Sequence, residues 1–285
     1  MTRVGQRGVA LLSVLLITSL ALMVIGSLLR NHRLALQGTA QQVHEISLRQ
    51  AALAVEGHGV QLLHGIDWQE ARTTHLAQAW AIAPKGFRLP DIGGSLNIED
   101  LGGRFNLTRL TAPGGPDDVH AQRWSRLLDT LGIAPFDLAP LQGLILNDTS
   151  QLHRISGLRK SDLQRLLPWV AVLPKDAVLN VNTAPAQVLA SLEGMTPGTA
   201  LSLARHRPAQ GYADAASFTR VPGVEGLGLS THGLGVSSRW FRITAQVSVA
   251  DRQLTLVTDI ERVANTQRVR ILQRRLLPST QEDAL

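Results

Sequence analysis

The sequence lacks cysteine altogether and is poor in charged and aromatic residues. Its 285 residues contain no Cys, 18% Asp, Glu, Lys and Arg, and 4% Phe, Trp and Tyr. Without cysteine the chain cannot be a disulfide scaffold, hold a Cys-ligated zinc ion or use a thiol nucleophile. An apolar content of 44% still allows most of the chain to fold, as one large domain or two small ones.

Lysine is also scarce, so arginine carries the excess of positive charge. Only Lys85, Lys160 and Lys175 accompany 25 arginines, and the formal net charge is +6. Such an excess can indicate a nucleic-acid or anionic-lipid partner. Here it is spread thinly, because residues 113–236 contain ten basic and ten acidic side chains. No segment has the charge density of a nucleic-acid-binding stripe.

Common catalytic motifs are missing as well. Residues 157–161 do not complete a G-x-x-x-x-G-K-[ST] phosphate-binding pattern, and residues 228–233 form a glycine-rich loop rather than a G-x-S-x-G elbow. No H-E-x-x-H zinc motif occurs. The spacing of four histidines predicts helix surface or domain packing rather than metal ligation: His44, His58, His64 and His75. The sequence therefore predicts no enzyme, no metal site and no cofactor.

The most prominent feature that is present is an uncharged N-terminal run. Residues 8–29 contain 22 residues without a charge, of which 16 are Ala, Val, Ile, Leu or Met. As a helix the run is about 33 Å long, which is enough to cross a hydrocarbon core of about 30 Å. The basic residues before and after it are nearly balanced, so the positive-inside rule does not decide its orientation.

Three interpretations of this run compete. A cleaved secretory signal needs a shorter apolar core and a small-residue cleavage site, and neither is evident. A plain membrane anchor accounts for the hydropathy alone. The junction at residues 6–12 resembles the prepilin signal, in which a basic leader ending in Gly precedes an apolar helix. That resemblance implies cleavage by a prepilin peptidase between Gly8 and Val9, and a mature chain that keeps its helix in the lipid bilayer.

One residue departs from the prepilin pattern. Most members of that family carry Glu at the fifth mature position, where it is linked to pairing with the N-terminal amine of a neighbouring subunit. Counting from Val9, this position is Ser13. In this departure the sequence resembles a minor pseudopilin, the K subunit of the type II secretion system, which characteristically lacks that Glu.

An amphipathic pattern continues the helix beyond the apolar run. Apolar residues recur at helical spacing and are separated by polar ones, which predicts a helix that ends near Gly65. The resemblance implies that this helix contacts other minor pseudopilins. We expect its apolar positions to divide between that interface and the protein's own sheet. The interface candidates are Val43, Ile46, Leu53 and Val60.

Two stretches of period-two pattern flank a block of helical pattern. Residues 95–100 and 104–107 predict a hairpin across Gly102 and Gly103, whereas residues 239–260 predict returning antiparallel strands. A helical block at residues 117–225 separates them, with cap candidates at Asp117 or Asp118, Ser161, Thr183 and Thr196. This order predicts that the block is inserted between strands of one sheet.

The segment Asn180-Val-Asn-Thr-Ala184 resembles two families at once. One is the helical insertion of the K pseudopilins, and the other is the helix-hairpin-helix module of DNA-binding proteins. The second module binds phosphates through backbone amides and nearby bases. Glu193 lies beside the turn here and the block is electrically neutral, so we expect poor DNA binding.

The resemblance to the K pseudopilins extends over nearly the whole chain. It rests on the order in which the segments occur, and residues 97–107 are one of these segments. K subunits often hold an acidic calcium-linked loop, whose place here is residues 144–151. The single carboxylate there is Asp148, and calcium needs six to eight oxygen ligands. We therefore expect Asp148 to be a cap or turn residue and expect no calcium site.

Together these features predict an α+β protein of the K-pseudopilin type. Its long N-terminal transmembrane and amphipathic helix would pack on an antiparallel pilin-like sheet that carries an all-helical insertion. The resemblance implies a single-pass inner-membrane protein with a periplasmic globular part, which caps the tip of the secretion pseudopilus. A DNA-uptake protein, a type IV pilus minor pilin and an anchored adhesion domain are the alternatives. The expected segments are a leader (1–8), a transmembrane helix (9–29), an amphipathic helix (30–66), the first part of the pilin-like domain (67–115), the insertion (116–236), returning strands (237–277) and a disordered tail (278–285).

Overall fold

The computed structural model describes residues 6–66, 71–88, 92–111, 115–143, 146–155, 157–249, 252–263, 266 and 268–278. Leader residues 1–5 and nearly all of the predicted tail, residues 279–285, lie outside the described residues. The chain divides into two compact units, residues 1–51 and residues 52–285. Each unit is described by itself.

The described residues form a mixed α and β chain. The helices are α1 (Gln6–His64), α2 (Ala79–Ile82), α3 (Thr108–Thr111), α4 (Asp118–Thr130), α5 (Lys160–Leu166), α6 (Ala186–Leu189), α7 (Pro197–Arg205) and α8 (Ala215–Thr219). The strands are β1 (Gly86–Arg88), β2 (Ile92–Asp100), β3 (Phe105–Asn106), β4 (Val170–Ala171), β5 (Leu179–Asn180), β6 (Leu234–Gly235), β7 (Trp240–Val249), β8 (Arg252–Arg262) and β9 (Val269–Pro278). Short 3₁₀ turns lie between several of them.

The first unit contains most of α1, whose early turns expose apolar side chains. Residues Leu11–Leu34 have a mean hydropathy of 2.5 and no buried residue, so by length and composition they can cross a membrane. Their few hydroxyl groups bond back to the helix itself. Thr18 donates to Val14 O at 2.9 Å, and Ser27 donates to Val24 O at 2.9 Å. This satisfies polar groups that hydrocarbon could not solvate.

A five-stranded antiparallel sheet is the centre of the second unit. Its strand order is β1-β2-β7-β8-β9. Strand β7 alternates as its sequence pattern predicts, and its inward residues are almost fully buried: Phe241, Ile243, Ala245 and Val247. Strand β9 adds a third returning strand at the C-terminal end of the sheet.

The C-terminal part of α1 packs on this sheet through a face that carries both large and small residues. Its buried residues recur at helical spacing: Ala52, Val55, Glu56, Gly59 and Leu63. A Cβ atom at Gly59 would lie 3.0 Å from Ile243 Cγ2 and 3.2 Å from Leu96 Cδ1, so glycine brings the helix close to β2 and β7. Glu56 forms an ion pair with Arg274 of β9 at 3.0 Å.

The insertion leaves the sheet after β2 and returns at β7. Asp100 pairs with Phe241, so residues 101–239 project from one end of these two strands. Two large apolar clusters lie within the insertion, and a smaller one lies at its base. The first includes Trp124, Leu127, Leu128, Leu163, Leu166 and Val170, and the second includes Val181, Leu189, Leu192, Leu203, Phe218 and Val224. The fold class predicted from the sequence is confirmed. Two short parallel pairings, β3 with β4 and β5 with β6, accompany the helices.

The predicted hairpin across Gly102 and Gly103 is wrong. Strand β2 pairs with β1 before it, whereas Phe105 and Asn106 leave the sheet and pair with Val170 and Ala171. The two glycines serve close approach instead. A Cβ at Gly102 would lie 2.5 Å from Ser238 Oγ, and one at Gly103 would lie 2.8 Å from Thr183 Oγ1.

The helix-cap predictions succeed where the cap is local. Asp117 caps α4 by accepting from His120 N, and Thr196 caps α7 by accepting from Thr199 N. Ser161 does not cap α5, which begins one residue earlier at Lys160. Thr183 does not cap α6, because its hydroxyl donates to Asp100 instead.

Candidate functional site

The junction between sheet and insertion is a buried polar cluster around Asp100. Asn180 Nδ2 donates to Asp100 Oδ2 at 2.8 Å, and Thr183 Oγ1 donates to the same oxygen at 2.7 Å. Gly102 N donates to Oδ1 at 2.8 Å. Burial raises the pKa of Asp100, and hydrogen bonds from Ser238, Thr183, Asn180 and Gly102 oppose that rise. A buried carboxylate with several donors is a rigid anchor for the chain segments that supply them.

The asparagine motif, residues 180–184, supplies most of the hydrogen bonds at this junction. Besides Asp100, Asn180 Nδ2 reaches Thr74 O at 3.0 Å. Asn182 Nδ2 donates to Tyr212 O at 3.0 Å and its Oδ1 accepts from Tyr212 N at 2.6 Å. The residue types fit this task, because an amide side chain donates and accepts at once. The motif therefore holds the insertion to the sheet.

Thr74 completes the junction from the segment that follows α1. Its amide donates to Val236 O at 2.8 Å, and its hydroxyl accepts from Ser238 N at 3.0 Å. Thr74 and Ser238 are not indicated by any sequence motif. Neither lies in a pattern, and their contact spans 164 residues.

The N-terminal site residues lie in α1. Gly8 and Val9 are within its first turns, and Ser13 follows in the same helix. Ser13 places a hydroxyl where the prepilin pattern has a carboxylate. Cleavage between Gly8 and Val9 stays a prediction.

The interface candidates on α1 differ in exposure. In the first unit Val43 is 57% and Ile46 56% exposed, and in the second unit Leu53 is 43% exposed. Val60 is half-buried, and Leu63, three residues later, is buried at 1%. The sheet-facing side of the helix is therefore built mainly from residues other than these candidates, and the role of the exposed positions stays a prediction.

Asp148 occupies the place of the acidic loop and acts as a cap. It accepts from Ser150 N at 2.6 Å in a capping box, and Arg275 Nη1 donates to its other oxygen at 2.7 Å. Burial raises the pKa of Asp148, but the Ser150 hydrogen bonds and the Arg275 charge together lower it by a larger amount, so the net shift is downward. A single carboxylate already neutralised by an arginine does not fit calcium. The absence of a calcium site stays a prediction.

The charged residues near the turn that resembles a DNA-binding hairpin make contacts within the protein. Glu193 pairs with the buried Arg123 at 2.8 Å. Arg207 Nη2 donates to Ala184 O at 2.6 Å, and burial lowers the pKa of Arg207. Arg205 remains exposed at the end of α7. These contacts leave little positive charge for a phosphate backbone.

Comparison with known proteins identifies the family. The model for type II secretion system protein K matches residues 179–237, which begin at the asparagine motif and end after β6. Type II secretion system protein K of Pseudomonas aeruginosa is 31% identical, and the alignment covers 99% of this chain and 98% of that protein. The chain belongs to the type II secretion system protein K family.

Further relatives agree with this membership. The Klebsiella pneumoniae protein K is 27% identical over 77% of this chain and 81% of its own. The crystal structure of the GspK-GspI-GspJ complex from enterotoxigenic Escherichia coli contains a similar fold, with a TM-score of 0.70 and 20% identity. That likeness covers 85% of this chain and 99% of the solved chain. The chain is accordingly a minor pseudopilin of protein K type.

A second cluster escaped the sequence analysis. Asp117, His120 and His232 place one ligand-type atom each within 4.8 Å of one another. The spacing of Asp117 and His120 at the start of α4 was the only available signal. His232 lies 115 residues after Asp117, and no pattern links the two.

Proposed function

We propose that this protein caps the tip of the type II secretion pseudopilus, a short periplasmic fibre that moves substrates through an outer-membrane channel. The observation that carries the proposal is the position of the insertion. It interrupts the sheet between Asp100 and Trp240, at one end of β2 and β7. A bulky body at that end of a pilin-like subunit obstructs the stacking of another subunit above it.

The direction of α1 supports a tip position. Gly59 faces Ile243 within β7, whereas Thr74, beyond the end of the helix, bonds Val236 and Ser238 beside the insertion. Within the second unit, the insertion therefore lies at the end of the sheet towards which the last turns of α1 run.

Ser13 supports the same position by its chemistry. In pilin-like fibres the glutamate at this place is linked to the N-terminal amine of a neighbouring subunit. A hydroxyl carries no charge with which to neutralise an ammonium group. A subunit with no neighbour ahead of it does not need that pairing.

The partners we propose are other minor pseudopilins, held through α1. The solved relative comes from a complex of three such proteins, named GspK, GspI and GspJ. Each unit offers apolar side chains on its part of α1: Val43 and Ile46 are exposed in the first unit, and in the second unit Leu53 is exposed and Val60 half-buried. Apolar residues left in water along a helix are typical of a helix-to-helix interface.

The location we propose is the bacterial inner membrane, with the second unit in the periplasm. Leu11–Leu34 serves as the single membrane span, and a prepilin peptidase removes residues 1–8. Mass analysis of the N-terminus after co-expression with that peptidase tests the processing step. We expect loss of residues 1–8 in the wild type and an uncut chain for Gly8→Leu. An intact N-terminus in the wild type contradicts the proposal.

Single-cysteine cross-linking tests the partners cleanly, because the natural chain has no cysteine. We expect Val43→Cys and Leu53→Cys to cross-link to co-expressed minor pseudopilins. His58→Cys is the matched control for Leu53→Cys, since His58 is also exposed on α1 but lies about 140° around the helix from Leu53. Equal cross-linking from all three positions, or none from the first two, rejects this interface.

Deletion of the insertion from residue 104 to 236 tests the cap itself in a secreting cell. We expect pseudopili that lose this protein from their ends and a failure of secretion, while the prepilin is still processed. In the wild type, immunogold labelling along the fibre shaft rather than at one end would contradict the tip assignment.

A further inference from the structure

Two imidazole rings from distant parts of the insertion converge on one carboxylate oxygen. Asp117 Oδ2 lies 2.8 Å from His120 Nδ1 and 3.3 Å from His232 Nε2. The rings of His120 and His232 meet edge to face, with centroids 5.5 Å apart. Asp117 Oδ1 caps α4 through His120 N at 2.9 Å and also lies 2.8 Å from His120 Nδ1. Asp117 Oδ2 is the oxygen that both imidazoles reach, so the carboxylate and two ring nitrogens form a set of three potential ligands.

Helix capping explains only half of this arrangement. A cap needs one carboxylate oxygen and a backbone amide, and Asp117 Oδ1 with His120 N supplies both. It does not require His232, which arrives from the loop before β6. His120 Nδ1 and His232 Nε2 both face one carboxylate oxygen, and two imidazoles with a carboxylate are a donor set that binds divalent metal ions.

The loop that carries His232 is held in place by a buried arginine. Arg123 Nη1 donates to His232 O at 2.7 Å and Nη2 donates to Ser230 O at 2.9 Å. Glu193 pairs with Arg123 at 2.8 Å and balances its charge. The backbone at His232 is therefore fixed before any ligand arrives, which lowers the cost of ordering a binding site.

Two of the three ligand separations are close to those of a divalent metal site, and the third, between the two imidazole nitrogens, is within 4.8 Å. Ligands bound tetrahedrally to zinc at about 2.0–2.1 Å are about 3.3 Å apart. The separation of Asp117 Oδ2 and His232 Nε2 already has that value, and the separation from His120 Nδ1 must open by about 0.5 Å. The Asp117 side chain is 46% exposed, so it has the freedom to make that adjustment.

We propose that Asp117, His120 and His232 bind a divalent transition metal, with zinc as the ion best matched to two imidazoles and one carboxylate. The site is distinct from the calcium-linked loop of the family and does not depend on the proposed tip function. His120 is buried whereas His232 is 55% exposed, which leaves the fourth coordination position facing solvent. The bound ion would clamp the loop before β6 to the start of α4.

Titration of the full-length chain in detergent with ZnCl₂ tests the site. We expect one zinc ion per chain and a rise in Tm on binding, because the ion binds the folded state. His232→Ala is the main variant, since its exposed side chain can be removed with little effect on folding. We expect it to weaken zinc binding by more than about tenfold, the smallest loss usually seen even when an outer-sphere partner is removed.

His206→Ala is the matched control, because His206 is also an exposed histidine of the insertion. It should bind zinc like the wild type, and Asp117→Asn should bind weakly. Co²⁺ substituted for zinc should give a visible absorption band that His232→Ala abolishes. Equal binding by the wild type and His232→Ala overturns the proposal. Calcium that occupies the same site with equal affinity overturns the assignment to a transition metal.

Discussion

Asn180 donates its side-chain amide to the Asp100 carboxylate at 2.8 Å, across 80 residues of sequence. Asp100 ends β2 and Asn180 ends β5, so the contact joins the sheet to the insertion. Both residues are buried. In water such a hydrogen bond would exchange for another at little cost, but in this setting the carboxylate has no solvent to replace a lost donor.

We therefore expect Asn180→Ala to lower the free energy of unfolding by about 1–3 kcal/mol, the usual range for an unsatisfied buried polar group. Urea denaturation of the full-length chain in detergent, followed by tryptophan fluorescence, measures this. Ser95→Ala is the control, because it removes an exposed hydrogen bond to Gln246 at 3.1 Å. Equal losses in the two variants would show that the junction is not a special anchor.

Two glycines in α1 make a matched pair for helix packing. A Cβ atom at Gly57 would meet nothing beyond its own stretch of helix within 4 Å, whereas a Cβ at Gly59 would meet Ile243 at 3.0 Å. We expect Gly59→Leu to destabilise the protein by about 1–3 kcal/mol through overpacking against the sheet. Gly57→Leu should stabilise it by up to about 1 kcal/mol, because leucine favours helix more than glycine does. Thermal unfolding of both variants gives the comparison, and the same sign for both would refute this packing.

The ion pair between Glu56 and Arg274 should be asymmetric in its energetics. The Glu56 side chain is 3% exposed and that of Arg274 is 48% exposed. Arg274→Ala leaves a buried carboxylate without its counter-charge, and we expect a loss of about 3–5 kcal/mol. Glu56→Ala leaves a guanidinium that water can reach, so we expect a loss of about 1.5–3 kcal/mol.

A double-mutant cycle completes this measurement. The variant that lacks both Glu56 and Arg274 should be more stable than Arg274→Ala alone, because no buried charge remains. Denaturant unfolding at constant pH provides the four free energies of unfolding, for the wild type, the two single variants and the double variant. A larger loss for Glu56→Ala than for Arg274→Ala would contradict the burial of the carboxylate.

Periodicity predicted the sheet and the order of its parts because both depend on local pattern. The alternation from Phe241 to Val249 is visible in the sequence, and it marks one buried face of β7. The helical pattern of residues 117–225, between the two stretches of period-two pattern, is equally visible. That is why the sequence could predict a helical body inserted between strands.

Long-range contacts were the limit of the prediction. Thr183 has the residue type and spacing of a helix cap, but Asp100 lies 2.7 Å from its hydroxyl and takes its hydrogen bond. Gly102 and Gly103 look like a turn, yet they are needed because Ser238 and Thr183 press against them. His232 joins Asp117 only through the tertiary fold. In each case the partner lies more than 75 residues away, beyond the reach of any local pattern.

Charge distribution predicts that the chain does not bind DNA. Its helix-hairpin-helix-like turn carries Glu193, which is paired with Arg123, and Arg207 is tied to Ala184. We expect no gel shift with duplex DNA at low salt, where any phosphate contact would be strongest. A helix-hairpin-helix protein run in parallel is the positive control. A shift that weakens as salt rises would restore the DNA-uptake alternative.

Asp148 provides a pH-dependent test of the shortened loop. Its native pKa lies below the ordinary 3.8, since the Ser150 hydrogen bonds and Arg275 outweigh the effect of burial. The unfolded chain therefore takes up the proton first as the pH falls, so the contribution is present above about pH 3.8 and is lost below it. Asp148→Asn keeps a capping side chain but removes the ion pair with Arg275.

We expect Asp148→Asn to be less stable than the wild type by about 1 kcal/mol at neutral pH, and the difference should vanish near about pH 2. Asp148→Ala also loses the cap and should cost about 0.5–2 kcal/mol more at every pH. Urea denaturation across the pH range separates the two contributions. If the Asn variant instead matched the wild type at neutral pH, Arg275 would not be stabilising Asp148. The Asp148 carboxylate would then be available to bind calcium, the ion to which this loop is linked in other K subunits.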